Sequence, residues 1–441
     1  MEVFYLSLNF VFICIFVYFI RKEHLFSLIS FFFIFITLLY IVIPAIDIVF
    51  FDKTVDHFYP VVIFICFFSI SCGVYLGGFS KTIKSRILIR IDERREVYLL
   101  AFILSLSLFS LFVYIQSFGG LMAAMINGVK LRYAGEAQSL GAWGFLLYFV
   151  ALAKIVSCVS FYRLISKGRF KKTHRLFFLT GISAVLLYAL VNASRGAIVM
   201  TVLLFLYGYF YYHVNNPKSN VSRKIVFYST VLLPFLFVFI VYGKVLISNS
   251  AKFIETGRFE FSFDKYEGKR DVAGARFVSE FSHPYESIDY LLENEVDFNY
   301  FKHFLTAPLN VIPSRLFGVE KPPRITEINT KNLNGTSEGG RPPGLIASFW
   351  FGGGEYTIVG VLVVYGFILS LFQKHVDIIT KVNPLLTPYF VFIFFTIPWQ
   401  STNGDPSIIL KSNIYLLVFI FVFYLFMFIP SRRNVIVNFN K

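Results

Sequence analysis

The chain has 441 residues, of which 56% are hydrophobic and 57 are Phe, and its mean hydropathy is +0.68. That exceeds the apolar share of about 45–50% usual for a soluble domain. The formal charge of +15 raises the question of nucleic acid, but the asymmetry of basic residues between loops explains it better, and no nucleic-acid partner is expected.

Apolar runs of about 20 residues recur, each long enough to cross roughly 30 Å of hydrocarbon. Lipid offers no partners to backbone groups, so spans must be helices or a closed barrel. Continuous rather than alternating apolarity selects helices. The expected class is therefore an all-α polytopic integral membrane protein. No basic region precedes Val3 and no small-residue cleavage site follows, so the first apolar run is expected to remain as a span. Eleven spans are expected, at roughly 3–20, 25–50, 59–79, 97–118, 143–165, 176–193, 197–213, 225–247, 345–373, 385–400 and 408–429. Cys14, Cys66, Cys72 and Cys158 all fall inside apolar runs without metal-ligand spacing and read as small buried hydrophobes.

One set of loops and the tail carries 21 Lys and Arg, whereas the alternate short loops carry only Lys53, Lys130, Arg132 and Arg195. By the positive-inside rule the first set is cytoplasmic. That puts the N-terminus outside, the C-terminus inside and the one long polar segment on the outer face. Three parts follow: 1–247 with eight spans, 248–343 as a large outer loop, and 344–441 with three spans and a tail. The loop from Ser248 to Arg341 is near neutral, with 12 basic and 14 acidic residues. Pro284 to Val311 reads as one or two amphipathic helices lying on the membrane surface. Prolines punctuate the rest into turns.

Asn192-Ala193-Ser194-Arg195-Gly196 joins two spans almost without a loop and pins Arg195 at the outer boundary. A guanidinium there either clamps an anion such as phosphate or snorkels to headgroups. Lys130 and Arg132 are two further cations near that face, or solvated loop charges. Glu338-Gly339-Gly340-Arg341-Pro342-Pro343 offers a carboxylate and a guanidinium beside a flexible backbone, or a helix-entering turn with a local ion pair. Gly352-Gly353-Gly354-Glu355 breaks the start of the ninth expected span, and Glu355 below the surface would face a cavity or a cation. Arg276, Glu280 and His283 share one face if helical. His283 or a carboxylate is a general-base candidate, against the plainer reading of a solvated histidine; His303 is a weaker one. Arg324 is a further basic candidate in the loop. Lys154, Lys244 and Lys411 lie within or near spans and either pair with acids or snorkel. There is no zinc, serine-hydrolase, Walker or GxGxxG motif.

Ser194-Arg195-Gly196 opening a span, the large outer loop, Lys321-Pro322-Pro323, Gly340-Arg341-Pro342-Pro343-Gly344 and the glycine-rich Phe351-Gly352-Gly353-Gly354 together resemble the bacterial O-antigen polymerases of the Wzy type. The resemblance implies a C-type glycosyltransferase-like architecture in the bacterial inner membrane. It implies transfer of a glycan from undecaprenyl diphosphate to a repeat unit on the same carrier, without a metal or other cofactor. It assigns Arg195 and Arg341, supported by Arg132, to the pyrophosphate, and His283 or Glu338 to the base. Expected partners are undecaprenyl-diphosphate-linked glycans, membrane lipids, a chain-length regulator and a flippase. An O-antigen ligase shares the donor and the architecture. A polysaccharide flippase should show repeated halves, which are not seen, and a structural membrane scaffold is the plainest alternative.

Overall fold

A computed structural model describes residues 7–14, 27–80, 92–133, 146–166, 170–192, 194–216, 281–311, 321–336, 340–401 and 403–428, with a few positions between 235 and 257. The described residues form helices joined by turns, without a strand. The elements, in order, are α1 (Leu28–Phe51), α2 (Tyr59–Phe79), α3 (Glu93–Gln116), α4 (Leu121–Tyr133), α5 (Tyr148–Ile165), α6 (Lys171–Val191) and α7 (Arg195–Asn215). After the long polar segment come α8 (His283–Glu293), α9 (Lys302–Val311), α10 (Ile325–Asn334), α11 (Gly344–Val382), α12 (Thr387–Ser401) and α13 (Pro406–Phe428).

Among the described residues, eight helices are long and apolar enough to cross a membrane: α1, α2, α3, α5, α6, α7, α11 and α13. The chain is a polytopic α-helical membrane protein. Of the remaining three expected spans, residues 7–14 of the first are helical, and 225–247 lies almost wholly outside the described residues. The tenth is α12, and it differs from a full span. Its 15 residues reach about 22 Å at 1.5 Å per residue, short of the roughly 30 Å hydrocarbon layer. A short helix is tolerated there because α12 is enclosed by α1, α5 and α7 rather than by lipid. Its Tyr389, Val391, Phe392, Phe394 and Phe395 are all buried in the common core.

The core is aromatic and continuous. Phe31 of α1 packs on Tyr207 of α7 and Phe395 of α12, with ring centroids 4.6 and 5.3 Å apart. Helices α2 and α11 pack closely along their length. Gly73 sits against the backbone of Val363 and Phe367, and Gly366 against the backbone of Ile70 and Val74. Small residues let membrane helices approach this closely, since packing rather than a hydrophobic drive holds them together.

The described parts of the polar segment pack on one end of the bundle. Two amphipathic helices, α8 and α9, occupy 283–311. Between them Tyr300 and Phe301 take left-handed backbone (φ 49° and 59°), a conformation costly for bulky residues. What holds them there is α11. That helix breaks at Gly354 (φ 77°, ψ −178°), where only glycine is comfortable. The break frees carbonyls, and the α8–α9 connection supplies donors: Asn299 N to Phe351 O at 2.9 Å and Phe301 N to Gly352 O at 3.0 Å. The Phe298 and Phe301 rings fill the space beside Gly352–Gly354. The ninth expected span is thus two pieces, a buried Gly344–Gly353 segment under the polar segment and the long apolar helix beyond.

Two substitutions on α11 separate packing from helix propensity. Gly366→Ala forces α2 away and should destabilise by about 1–3 kcal/mol. Gly360→Ala, whose Cβ meets nothing within 4 Å, should be neutral or stabilising by up to about 1 kcal/mol. Thermal unfolding in detergent checks both; equal melting temperatures would contradict the packing.

Candidate functional site

The described parts of the polar segment are fastened to the bundle through three carboxylates, the buried Asp47 and Asp405 and the partly buried Glu286. Asp47, fully buried near the end of α1, accepts a hydrogen bond from the Tyr285 hydroxyl, and Lys53 Nζ lies 3.9 Å from it. Lys53 also donates to Glu286 Oε1, and the other oxygen of Glu286 receives Arg341 Nη1 at 3.2 Å. His283 Nδ1 is 3.9 Å from that oxygen. The α1–α2 turn, α8 and the approach to α11 therefore meet on one carboxylate. Burial pushes the Glu286 carboxyl up, but His283, Lys53 and Arg341 outweigh it and hold it at about 2. One turn along, Asp289 Oδ1 accepts the Asp56 N–H at 2.6 Å. Burial dominates there, and the carboxyl rises to about 6.

The second anchor is Asp405, which is fully buried. One oxygen caps α13, accepting Ser407 N at 2.8 Å and Ile408 N at 3.2 Å, as an N-terminal aspartate does. The other accepts the N–H and hydroxyl of Thr326 at 3.2 and 2.5 Å, tying α10 down. Asn329 Nδ2 donates to the Arg341 carbonyl at 2.8 Å, and Arg341 N donates to Thr330 Oγ1 at 2.9 Å. Gly344 N reaches Asn403 O at 3.0 Å.

Beneath this assembly lies a cavity of about 450 Å³ between α5, α6, α7, α12 and α13. Ser194 and Gly196, flanking Arg195 at the start of α7, line it with Lys154, Trp399, Gln400 and Asn403. Ser194 caps α7 by accepting Ala197 N. The Phe281 ring, just before α8, packs edge-on at 6.3 Å from Trp399, so the polar segment borders the cavity. A second cavity, about 820 Å³, lies at the opposite end. It is bounded by a buried ion pair, Arg163 with Glu96 at 2.7–2.8 Å, to which Tyr389 donates at 2.9 Å. That pair staples α3, α5 and α12.

The structure distributes the expected site residues unevenly. Arg195 begins α7 beside the first cavity, and its side chain lies outside the described residues, as does that of Arg132 in the last turn of α4. Arg276, Glu280 and Glu338 lie outside the described residues. His283 opens α8 next to Glu286. Arg341 is bound to Glu286, a partner 55 residues away. Arg324 pairs with Glu327 at 2.7 Å on α10 and does not line the cavity. Glu355, expected to face a cavity or a cation, is instead exposed just past the break at Gly354 and lines neither cavity. His303 is buried between Asn299 Oδ1 (2.8 Å) and Ser348 Oγ (3.2 Å). Burial lowers it to about 4, so it stays neutral and structural.

Asp47, Lys53, Glu286 and Asp405 escaped the sequence reading as partners. Asp405 carried a signal, since Gly404-Asp405-Pro406 is a capping aspartate followed by proline at the first helical position. Asp47 carried another, as an acid inside an apolar run. Comparison with known protein families, with curated proteins and with solved structures finds no match.

Glu286→Ala leaves Lys53 and Arg341 without their shared carboxylate. It should cost stability near the low end of about 3–5 kcal/mol, since Arg341 is 36% exposed; unchanged melting would contradict the anchor. Asp289 gives a signed pH test. An acid raised from 3.8 to about 6 on folding adds stability at low pH that is lost as pH rises through its folded value. Asp289→Asn keeps the acceptor for Asp56 N–H, so it should gain on the unsubstituted protein between about pH 4 and 6. A constant difference across that window would contradict the raised carboxyl.

Proposed function

We propose that the chain is a membrane glycosyltransferase of the O-antigen polymerase type, joining repeat units carried on undecaprenyl diphosphate. The observation that carries this reading is the cavity beside Ser194-Arg195-Gly196, bordered by described parts of the polar segment that the Glu286 and Asp405 carboxylates fix in place. By the positive-inside rule that end is the periplasmic face of the bacterial inner membrane, with the N-terminus periplasmic and the C-terminus cytoplasmic. The full set of eleven spans belongs to the same proposal.

The acceptor's terminal hydroxyl attacks the donor's anomeric carbon. The bond from that carbon to the diphosphate oxygen breaks, and the diphosphate leaves with the electron pair. The hydroxyl proton passes to a base, for which His283 and Glu338 are the candidates. Arg195, at the start of α7, is the candidate to neutralise charge developing on the leaving group. Arg341 holds the roof through Glu286, so its contribution to the diphosphate is indirect. A chain-length regulator and a flippase are proposed partners.

The test is the lipopolysaccharide ladder of a deletion strain complemented with variants. Deletion should collapse the ladder to core plus one repeat unit. Core alone, with polymer accumulating on the carrier, would instead identify a ligase, and an unchanged ladder would overturn the reading. Arg195→Ala should abolish long chains while membrane protein level and melting stay unchanged. Arg341→Ala should lose chains and melting temperature together. Long chains retained by Arg195→Ala would remove Arg195 from the site.

A further inference from the structure

The first cavity contains a lysine that no described residue neutralises. Lys154 projects from α5 six residues beyond Tyr148, about 9 Å into the helix at 1.5 Å per residue. Among the described residues no carboxylate lies within ion-pair distance of its Nζ, and the Tyr188 ring centre is 6.0 Å away. None of the described lining residues is acidic, and Lys154 is the one charged residue among them. The opposite-end cavity is built differently, with Glu93 and Asp377 alongside Arg163 and Lys381, so that its charges balance internally.

An amine at membrane depth normally pairs with an acid, reaches the interface or serves a ligand. The rest of the lining favours a ligand. The first turn of α7 brings its positive dipole end to the same space. Asn403 Oδ1 is buried without a hydrogen-bond partner, and Gln400, Thr201 and Ser412 add polar groups. The opposing wall is apolar and aromatic, with Met200, Leu204, Phe392 and Phe395. A negative head on an apolar tail matches such a cavity; a free sugar would leave the amine without a counter-charge.

We propose that Lys154 is a substrate-binding residue, gripping a phosphate of a prenyl-diphosphate-linked ligand from the floor of the loop-end cavity. The proposal rests on the glycan-transfer reading for the identity of the ligand. Lys154 meets one phosphate from inside the bundle, and the start of α7 meets the diphosphate from the mouth. Because the amine is a point charge on a flexible stem, arginine at this position should preserve binding, whereas an isosteric apolar side chain should not.

The test is direct binding to the full-length protein purified in detergent, read as ligand-induced thermal stabilisation. The probes are farnesyl diphosphate, farnesol, inorganic pyrophosphate and phosphatidylglycerol. Farnesyl diphosphate should stabilise the unsubstituted protein and Lys154→Arg. Lys154→Met should melt at least as high without ligand and bind farnesyl diphosphate at least tenfold more weakly. Equal binding by Lys154→Met would overturn the assignment. Equal stabilisation by phosphatidylglycerol would make Lys154 a general lipid contact, and equal stabilisation by pyrophosphate alone would make the ligand a soluble phosphate; either overturns the proposal. This outcome is separable from the glycan reading: Lys154-dependent binding with an unchanged ladder in the deletion strain would leave the site standing and remove only the reaction.

Discussion

Glu286 is the point on which the two halves of the structure depend. Its carboxylate, almost enclosed, receives Lys53 from the α1–α2 turn and Arg341 from the approach to α11. A buried carboxylate survives only when its lone pairs are met, so each of these segments is constrained by the other two. Tyr285, the neighbour of Glu286, drives its hydroxyl onto Asp47 inside the bundle. The result is a polar segment that behaves as a fixed roof. Asp405 completes it from the far side, where one carboxylate both starts α13 and holds α10.

The bilayer sets the second constraint. Backbone groups at membrane depth must be paired within the protein, and the two irregular places in the bundle obey this. α11 breaks at Gly354 only because the α8–α9 connection donates to the freed carbonyls. α12 stops short because helices, not lipid, surround it. Together these irregularities leave room for a polar cavity at the loop end, while the Glu96–Arg163–Tyr389 cluster staples α3, α5 and α12 beside the cavity at the other end. Among the described residues, the cavity at one end is lined by two acids and two bases, and the cavity at the other by a single lysine.

Much of the fold was legible in the sequence because membrane helices declare themselves through uninterrupted apolar runs. Leu28–Phe51, Tyr59–Phe79 and Glu93–Gln116 fall within a few residues of expectation. The amphipathic stretch 284–311 was also legible, since its period shows one apolar face. The site was less so. Arg341 pairs with Glu286, which no local spacing reveals. Lys53 and Glu286 are 233 residues apart. The exposure of Glu355 just past the break at Gly354 was not legible, because that break is packed by Phe298 and Phe301 from a distant part of the chain. The cavity itself is assembled from five helices, and a lysine in an apolar run does not disclose whether it faces lipid or a pocket.

Reconstituted chemistry tests the central claim most directly. Purified protein in liposomes would be given a synthetic repeat unit on a polyprenyl diphosphate, and released carrier and glycan length would be measured together. The expected result is one polyprenyl diphosphate freed for each new glycosidic bond, with chains growing beyond two repeat units. Intact lipid-linked substrate with no released diphosphate, in protein that melts normally, would contradict it.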